Sequence, residues 1–231
     1  MDGQSYTIEG REVTLPVRVG DAAIAFASWL VPMRVAREIV ADERVQLVRI
    51  LPGRAMLSLA AIEYRENDLG AYNELAIAFV AQTDRARGRQ GIGSYIHRLP
   101  VTTSFSREAG RRIWGLPKTV DAIDIRDVGD RRSARLTVDG THSLTLTVKM
   151  TGARSFTDAP QAALARLDGV IRRTPFRASG SGLGFRLGGA AIELGAGPIA
   201  DELRRLGLPK RALMSGGVRH MQAVYEAAET I

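Results

Sequence analysis

Cysteine is absent from the 231-residue chain, which removes disulfide frameworks, thiolate nucleophiles and cysteine-based metal sites at once. Histidine occurs only as His97, His142 and His220. These three lack metal-ligand spacing, so neither a metal nor another cofactor is expected. Long apolar runs are also missing. None reaches the roughly 18 residues of a membrane span, and the opening MDGQSYTIEG has neither the basic start nor the apolar segment of a secretory leader. The expectation is a cytoplasmic protein with no membrane association. Lysine is nearly as scarce: it occurs at Lys118, Lys149 and Lys210, and arginine makes up the rest of the 32 basic residues. Arginine stays protonated in proteins and cannot serve as an amine nucleophile, whereas lysine can, so a lysine at a chain corner calls for a specific reading.

The net charge of +7 favours anionic partners. The arginines are nevertheless spread along the chain, without the aromatic-interleaved basic run of nucleic-acid sites. A small anionic substrate accounts for the balance, and no nucleic-acid partner is expected. A weaker alternative is a nucleic-acid contact by the basic stretch at residues 85–89, within the polar, glycine-rich segment DRARGRQGIG (84–93). That segment reads as a solvated excursion, with a mobile lid as the alternative.

Residues 1–20 alternate weakly and predict an outer strand. An alanine-rich apolar stretch (22–31) follows, and residues 33–40 carry the i, i+3, i+4 pattern of a short amphipathic helix. QLVRIL, a Pro52-Gly53 turn and AMLSLAAIEYR predict a hairpin whose second arm is buried on both faces. Residues 72–80 alternate, with Leu75, Ile77 and Phe79 on one face and Tyr72, Glu74, Ala76 and Ala78 on the other. Half-buried strands are the common case, so by pattern alone the Glu74 face is expected to meet water. Its small residues leave a cavity as the alternative.

Residues 95–101 predict another strand, and a short helix precedes Lys118. It is expected to be capped by Ser106, with Glu108 in its first turn, Gly115 just past its end and Pro117 beyond. After Lys118 the pattern is β through TVDAIDIR, SARLTV, the hairpin signal Asp139-Gly140 and SLTLTVKM, with Lys149 on the solvent face. Residues 161–172 read as helix, GLGFRL and AIELG as short strands, and 199–206 as a helix stopped at Gly207. The tail, 212–231, is ambiguous, with strand favoured.

Gly-Leu-Pro-Lys occurs twice, at 115–118 and 207–210. Glycine followed by proline is ordinary helix punctuation, so the four residues alone are a weak signature. The longer string REAGRRIWGLPK (107–118), with LGAYNE (69–74) upstream, resembles the acetoacetate decarboxylase family, over most of the chain from about Gln46 onward. There a helix runs into a Pro-Lys pair whose lysine forms a Schiff base, and a Tyr-x-Glu on an earlier strand supplies an active-site carboxylate. The resemblance implies Lys118 as the Schiff-base lysine and Glu74 as the acid. Such an amine must be depressed by desolvation or a nearby cation, as this family is known to do.

Three departures accompany the matches. Thr119 stands where the family's decarboxylases carry a second lysine, and an apolar residue near Leu59 replaces a second acid. Arg18 is the nearest counterpart of the arginine that holds the substrate carboxylate. Arg112 borders the helix's apolar stripe and is a candidate for the missing charge, with a surface position as the alternative. Arg112, Arg18, Tyr72 and Leu116 are the candidate substrate contacts. The expected protein is one α+β domain over residues 1–231, mainly antiparallel, closed or nearly closed into a β-barrel with short flanking helices. The implied activity is a lyase acting on a small β-keto or other oxo acid. An aldolase, a dehydratase or a non-catalytic binder of the same fold are alternatives, and a homo-oligomer is implied by the resemblance only.

Overall fold

The computed structural model describes residues 4–82 and 92–231; the basic stretch at 85–89 and its lid alternative lie outside them. The elements in chain order begin with β1 (Ser5–Ile8), β2 (Arg11–Thr14), β3 (Val17–Pro32), α1 (Met33–Val40), β4 (Arg54–Asn67), β5 (Tyr72–Gln82), β6 (Ile92–Val101), α2 (Ser104–Trp114) and β7 (Lys118–Val120). They continue with β8 (Ala122–Val128), β9 (Arg131–Val138), β10 (Thr141–Lys149), β11 (Arg154–Leu167), β12 (Val170–Leu187), β13 (Ala190–Leu194), α3 (Pro198–Arg205), β14 (Met214–Tyr225) and β15 (Glu229–Thr230).

The largest sheet runs β11-β12-β14-β3-β4-β5-β6 and then closes on itself, because β6 pairs in parallel with β11 through Ser94–Ala163, Tyr95–Leu164 and Ile96–Ala165. The result is a seven-stranded barrel. β7 attaches in parallel to β6, with Lys118 opposite Leu99. A second antiparallel sheet, β13-β10-β9-β8, lies outside the barrel. None of the described helices is long and apolar enough to cross a membrane.

The period of two along each strand divides the interior into two compartments. Leu75, Ile77 and Phe79 of β5, Leu57 and Leu59 of β4 and Trp29 of β3 point out of the barrel. They join Leu136, Leu144, Leu146 and Ile192 of the second sheet and Leu203 of α3 in one core. The alternate residues point into the barrel. One end of the barrel is covered by α2, whose Phe105, Ala109 and Ile113 pack with Val17, Val19, Tyr64, Tyr72 and Val101. The β1–β2 hairpin adds Ile8 and Val13 to that cluster.

Several expectations match closely. α1 covers residues 33–40, the Asp139-Gly140 turn has φ of 48° and 75° as its hairpin type requires, and the tail forms β14. Others are corrected. QLVRIL is not a hairpin arm; it makes only isolated bridges, Leu47 to Ala81 and Leu51 to Arg54. Residues 161–172, expected as helix, belong to β11 and β12, joined at Asp168 and Gly169 with φ of 51° and 78°. Long-range pairing overrides the helical propensity of their alanine and leucine there. The N-cap of α2 is Thr103, whose side chain accepts from the Ser106 backbone N–H, so the helix starts earlier than expected and Glu108 lies beyond its first turn.

The two compartments make separable predictions. Leu59→Ala, in the core between the sheets, should lower the unfolding free energy by about 2–5 kcal/mol in denaturant titrations. Ala60→Val, next in the chain but facing into the barrel, should change it by less than about 1 kcal/mol, because space is available there.

Candidate active site

Small side chains on the inner face leave the barrel hollow. Ala60, Ala76 and Ala78 line a cavity of about 490 Å³ together with Ile24, Phe26, Ile62, Leu69, Trp114, Phe176 and Tyr225. The Glu74 face of β5 therefore points into this cavity, and the expectation that it meets water is corrected: Tyr72, Glu74, Ala76 and Ala78 are all buried. Period-two alternation separates the faces of a strand but cannot say which of them is enclosed.

Lys118 enters from the corner between α2 and β7. α2 ends at Gly115, which takes φ +66° and donates its backbone N–H to Arg111 O, and Leu116 N–H then reaches back to Gly110 O. This tight exit turns the chain so that Lys118 starts β7 with its side chain aimed inward. Lys118 is 3% exposed and Glu74 5%. Nζ stands 2.9 Å from Glu74 Oε2 and donates to the Tyr72 hydroxyl at 3.3 Å. It also lies 4.8 Å from the centre of the Tyr72 ring. The Tyr64 hydroxyl donates to the other carboxylate oxygen, Oε1, at 3.4 Å.

Gly110 explains how the lysine stem fits against the helix. A Cβ at that position would lie 2.5 Å from Lys118 Cδ and 2.7 Å from Cε, so the glycine is needed for close approach rather than for backbone freedom.

Three tyrosines surround the pair. Tyr64 and Tyr72 stack with centroids 4.5 Å apart, and Tyr225 stacks on Phe176 at 4.7 Å. Burial pushes the hydroxyls of Tyr64 and Tyr72 well above the usual phenol range, and the Glu74 carboxylate adds to the rise. Burial likewise pushes Tyr225 up to about 12, against a lowering contribution from its hydrogen bond with Tyr64. All three are proton donors at neutral pH.

Of the sequence-based candidates, Lys118, Glu74, Tyr72 and Leu116 converge on the cavity. Arg112 and Arg18 do not. Arg112 is exposed, and its guanidinium donates to the carbonyl of Thr7 in β1. Arg18 is exposed on β3, with its backbone N–H bonded to Asp68. Long basic side chains at the border of an apolar stripe reach for water or surface carbonyls.

The two other departures also look different in three dimensions. Thr119 is exposed and bonded to Asp121 at 2.6 Å, so a cation there would not face Nζ. Leu59 belongs to the core outside the barrel. The residue of β4 that pairs with Glu74 is Ile62. Tyr64, Trp114, Phe176 and Tyr225 are cavity residues that sequence reasoning missed; their only signal was aromatic character, at inward-facing strand positions for the three on β4, β12 and β14 and at the last residue of α2 for Trp114. Lys210, in the second Gly-Leu-Pro-Lys, donates to the Leu30 carbonyl at 2.6 Å on the surface. Lys149 pairs with Asp130 at 2.7 Å and is half-exposed, close to its expected solvent face.

The family model described as acetoacetate decarboxylase matches residues 6–224, so the match reaches well upstream of Gln46. No match is found among curated proteins. Among solved structures, an acetoacetate decarboxylase from Legionella pneumophila superposes with a TM-score of 0.69 at 15% identity, covering 94% of this chain and 87% of that one. An acetoacetate decarboxylase-like enzyme from Sphingomonas wittichii gives 0.60 at 16% identity and 99% coverage of both chains. The enduracididine biosynthesis enzyme MppR, complexed with pyruvate, gives 0.59 at 16% identity, covering 93% and 90%. At these identities the structural likeness shows the fold.

Two measurements test the site geometry. Gly110→Ala should displace the Lys118 stem and lower labelling of Lys118 by an amine-selective reagent by about tenfold or more, read by peptide mass mapping, since misplacement of about 1 Å is costly in such sites. The raised Tyr225 pKa stabilises the fold fully below pH 10. That contribution is lost as pH rises through about 12. Tyr225→Phe should therefore lose less stability than the parent between pH 10 and about 12, measured by denaturant unfolding across that window.

Proposed function

The chain belongs to the acetoacetate decarboxylase family, and from that premise we propose that it is a Schiff-base-forming lyase acting on a β-keto or other oxo acid through Lys118. The observation that carries the reading is the buried Lys118–Glu74 pair, the one pair of charged side chains among the described residues lining the cavity. Glu74, at 2.9 Å, is placed to take the proton that Nζ must shed before it attacks the substrate carbonyl. Attack forms the Nζ–C bond. Loss of the carbonyl oxygen as water, after proton delivery from the Glu74 and tyrosine group, leaves an iminium.

In a β-keto acid, the electrons of the C–CO2 bond then pass into the iminium, CO2 departs, and an enamine remains. A proton returned to its carbon regenerates the iminium, and water hydrolyses this to the ketone product and the free amine. Apolar walls assist, because a carboxylate gains little solvation there and its loss as CO2 is correspondingly favoured.

An aldol or dehydration reaction through the same iminium is the second reading, and a particular feature favours it. Among the described residues lining the cavity, Lys118 is the one cation and Glu74 the one anion, so no second cation is available to pair with a substrate carboxylate once Nζ is bonded. The hydroxyls of Tyr72 and Tyr64, beside Nζ and Glu74, suit the proton transfers of those reactions. The buried lysine and acid, in turn, favour either enzyme over a non-catalytic binder.

Borohydride trapping with a panel of 2-oxo and 3-oxo acids, followed by peptide mapping, is the test. The expected adduct is on Lys118 and not on Lys210, and CO2 release on the 3-oxo acids separates decarboxylation from the second reading. Glu74→Gln should lower turnover by about 10²–10⁴-fold, the usual scale for a general acid–base group. Labelling of Lys210 instead, or no adduct with any acid, sinks the proposal.

A further inference from the structure

The cavity is much longer than the chemistry at Lys118 requires. Along β5, Glu74 and Ala78 both point inward and lie four residues apart, about 13 Å at roughly 3.3 Å per residue. At the Ala78 level the wall changes character. Ala78 pairs with Ser58, and Ser58 pairs with Ser28. The two serine hydroxyls bond each other at 2.7 Å inside the cavity wall. That bond uses one of their two donors and leaves the other, with free lone pairs, for a ligand.

Between the two polar ends lie Phe26, Ala60 and Ala76, which share one register row and are wholly apolar. Other polar residues of the lining are Asn67, Ser94 and Gln161, of which Ser94 and Gln161 are exposed, so the cavity meets solvent there, while α2 packs over the barrel at the Lys118 end. A volume of 490 Å³ falls within the range of about 300–1,000 Å³ that holds drug-sized ligands. A four-carbon oxo acid would leave most of it empty.

We propose that the substrate is an elongated oxo compound. Its carbonyl reaches Lys118, an apolar and preferably aromatic body lies along Phe26, Ala60 and Ala76, and a neutral hydrogen-bonding terminus such as a hydroxyl meets Ser28 and Ser58 about 13 Å away. The reacting end rests on the Schiff-base reading; the tail site does not. Each terminus is selected by different physics. The lysine selects a carbonyl, and the serine pair rewards a neutral donor or acceptor over a bare hydrocarbon end.

The tail site can be tested without the covalent step. Trp114 lines the cavity, whereas Trp29 is sealed in the core outside the barrel, so quenching of tryptophan emission titrates occupancy. The probes are 4-phenylbutan-2-one, 6-phenylhexan-2-one and 6-(4-hydroxyphenyl)hexan-2-one. Affinity is expected to rise about tenfold with the two added methylenes and about fivefold more with the hydroxyl. The hydroxyl gain, taken as a ratio between the last two probes, should fall to about one in Ser58→Ala. Ala76→Leu, which fills the middle of the cavity, should weaken both hexanones by about tenfold or more.

Affinity that stays flat or falls along the series overturns the inference, as does a hydroxyl gain that survives in Ser58→Ala or hexanone binding that is unchanged in Ala76→Leu. Borohydride trapping of the same ketones is read in parallel. Absence of any Lys118 adduct overturns the Schiff-base reading while the emission titration still decides the tail site. Acetone trapped at concentrations as low as those needed for the hexanones retains that reading and overturns the elongated substrate.

Discussion

The structure depends on one ion pair held where water is scarce. Removing an ammonium and a carboxylate from solvent costs several kcal/mol per ion, and breaking such a pair by deleting one partner is strongly destabilising. Lys118 and Glu74 meet this cost with a 2.9 Å contact and hydroxyls on both sides, Tyr72 at Nζ and Tyr64 at Oε1. The other polar side chains of the described cavity lining are all neutral. What the pair demands from the fold is positional: a strand that places Glu74 inward, a helix that stops short of Lys118, and a glycine at 110 that lets the lysine stem lie against α2.

That demand explains why the barrel is closed where it is. β7 is only three residues long and is held by its parallel pairing to β6, while β6 is tied to β5 on one side and β11 on the other. Lys118 thus rides on the strand next to the one that pairs with Glu74. Outside the barrel, the large side chains of β3, β4 and β5 pack against the second sheet, which fixes those strands rigidly from behind. The same strands can then present alanines and serines on their inner face without collapsing the cavity.

Local features were legible in the sequence because they are set by local physics. α1, the glycine exit of α2 and the Asp139-Gly140 turn depend on helix periodicity and on residues that tolerate positive φ. The Leu75, Ile77 and Phe79 face was separable from the Glu74 face for the same reason. What sequence could not supply was enclosure. Whether Glu74 meets water or a cavity depends on β11 returning to β6, and residues 161–172 carry helical propensity that hid this strand. The Asp168-Gly169 turn was the available sign, equivalent to the recognised turn at Asp139-Gly140, and it would have favoured a hairpin. Arg112 failed differently: helical phase put it at the border of the buried stripe, and a long side chain at a border can turn either way.

The two Gly-Leu-Pro-Lys segments isolate what makes a lysine special. Both follow a helix, and both place a lysine three residues after the glycine that ends it. Lys210 comes to rest on a backbone carbonyl at the surface, whereas Lys118 is enclosed with a carboxylate and a phenol. Because the four residues are the same, the difference lies entirely in what the chain brings around them from far away: Tyr72 and Glu74 from β5, Tyr64 from β4, and Gly110 one turn before the end of α2. With a single cation and a single anion in the described lining, the cavity has no charge to spare for the distant part of a ligand. Recognition beyond the reacting carbonyl must then come from apolar contact and neutral hydrogen bonds, which is the pattern that the inner faces of β3, β4 and β5 present.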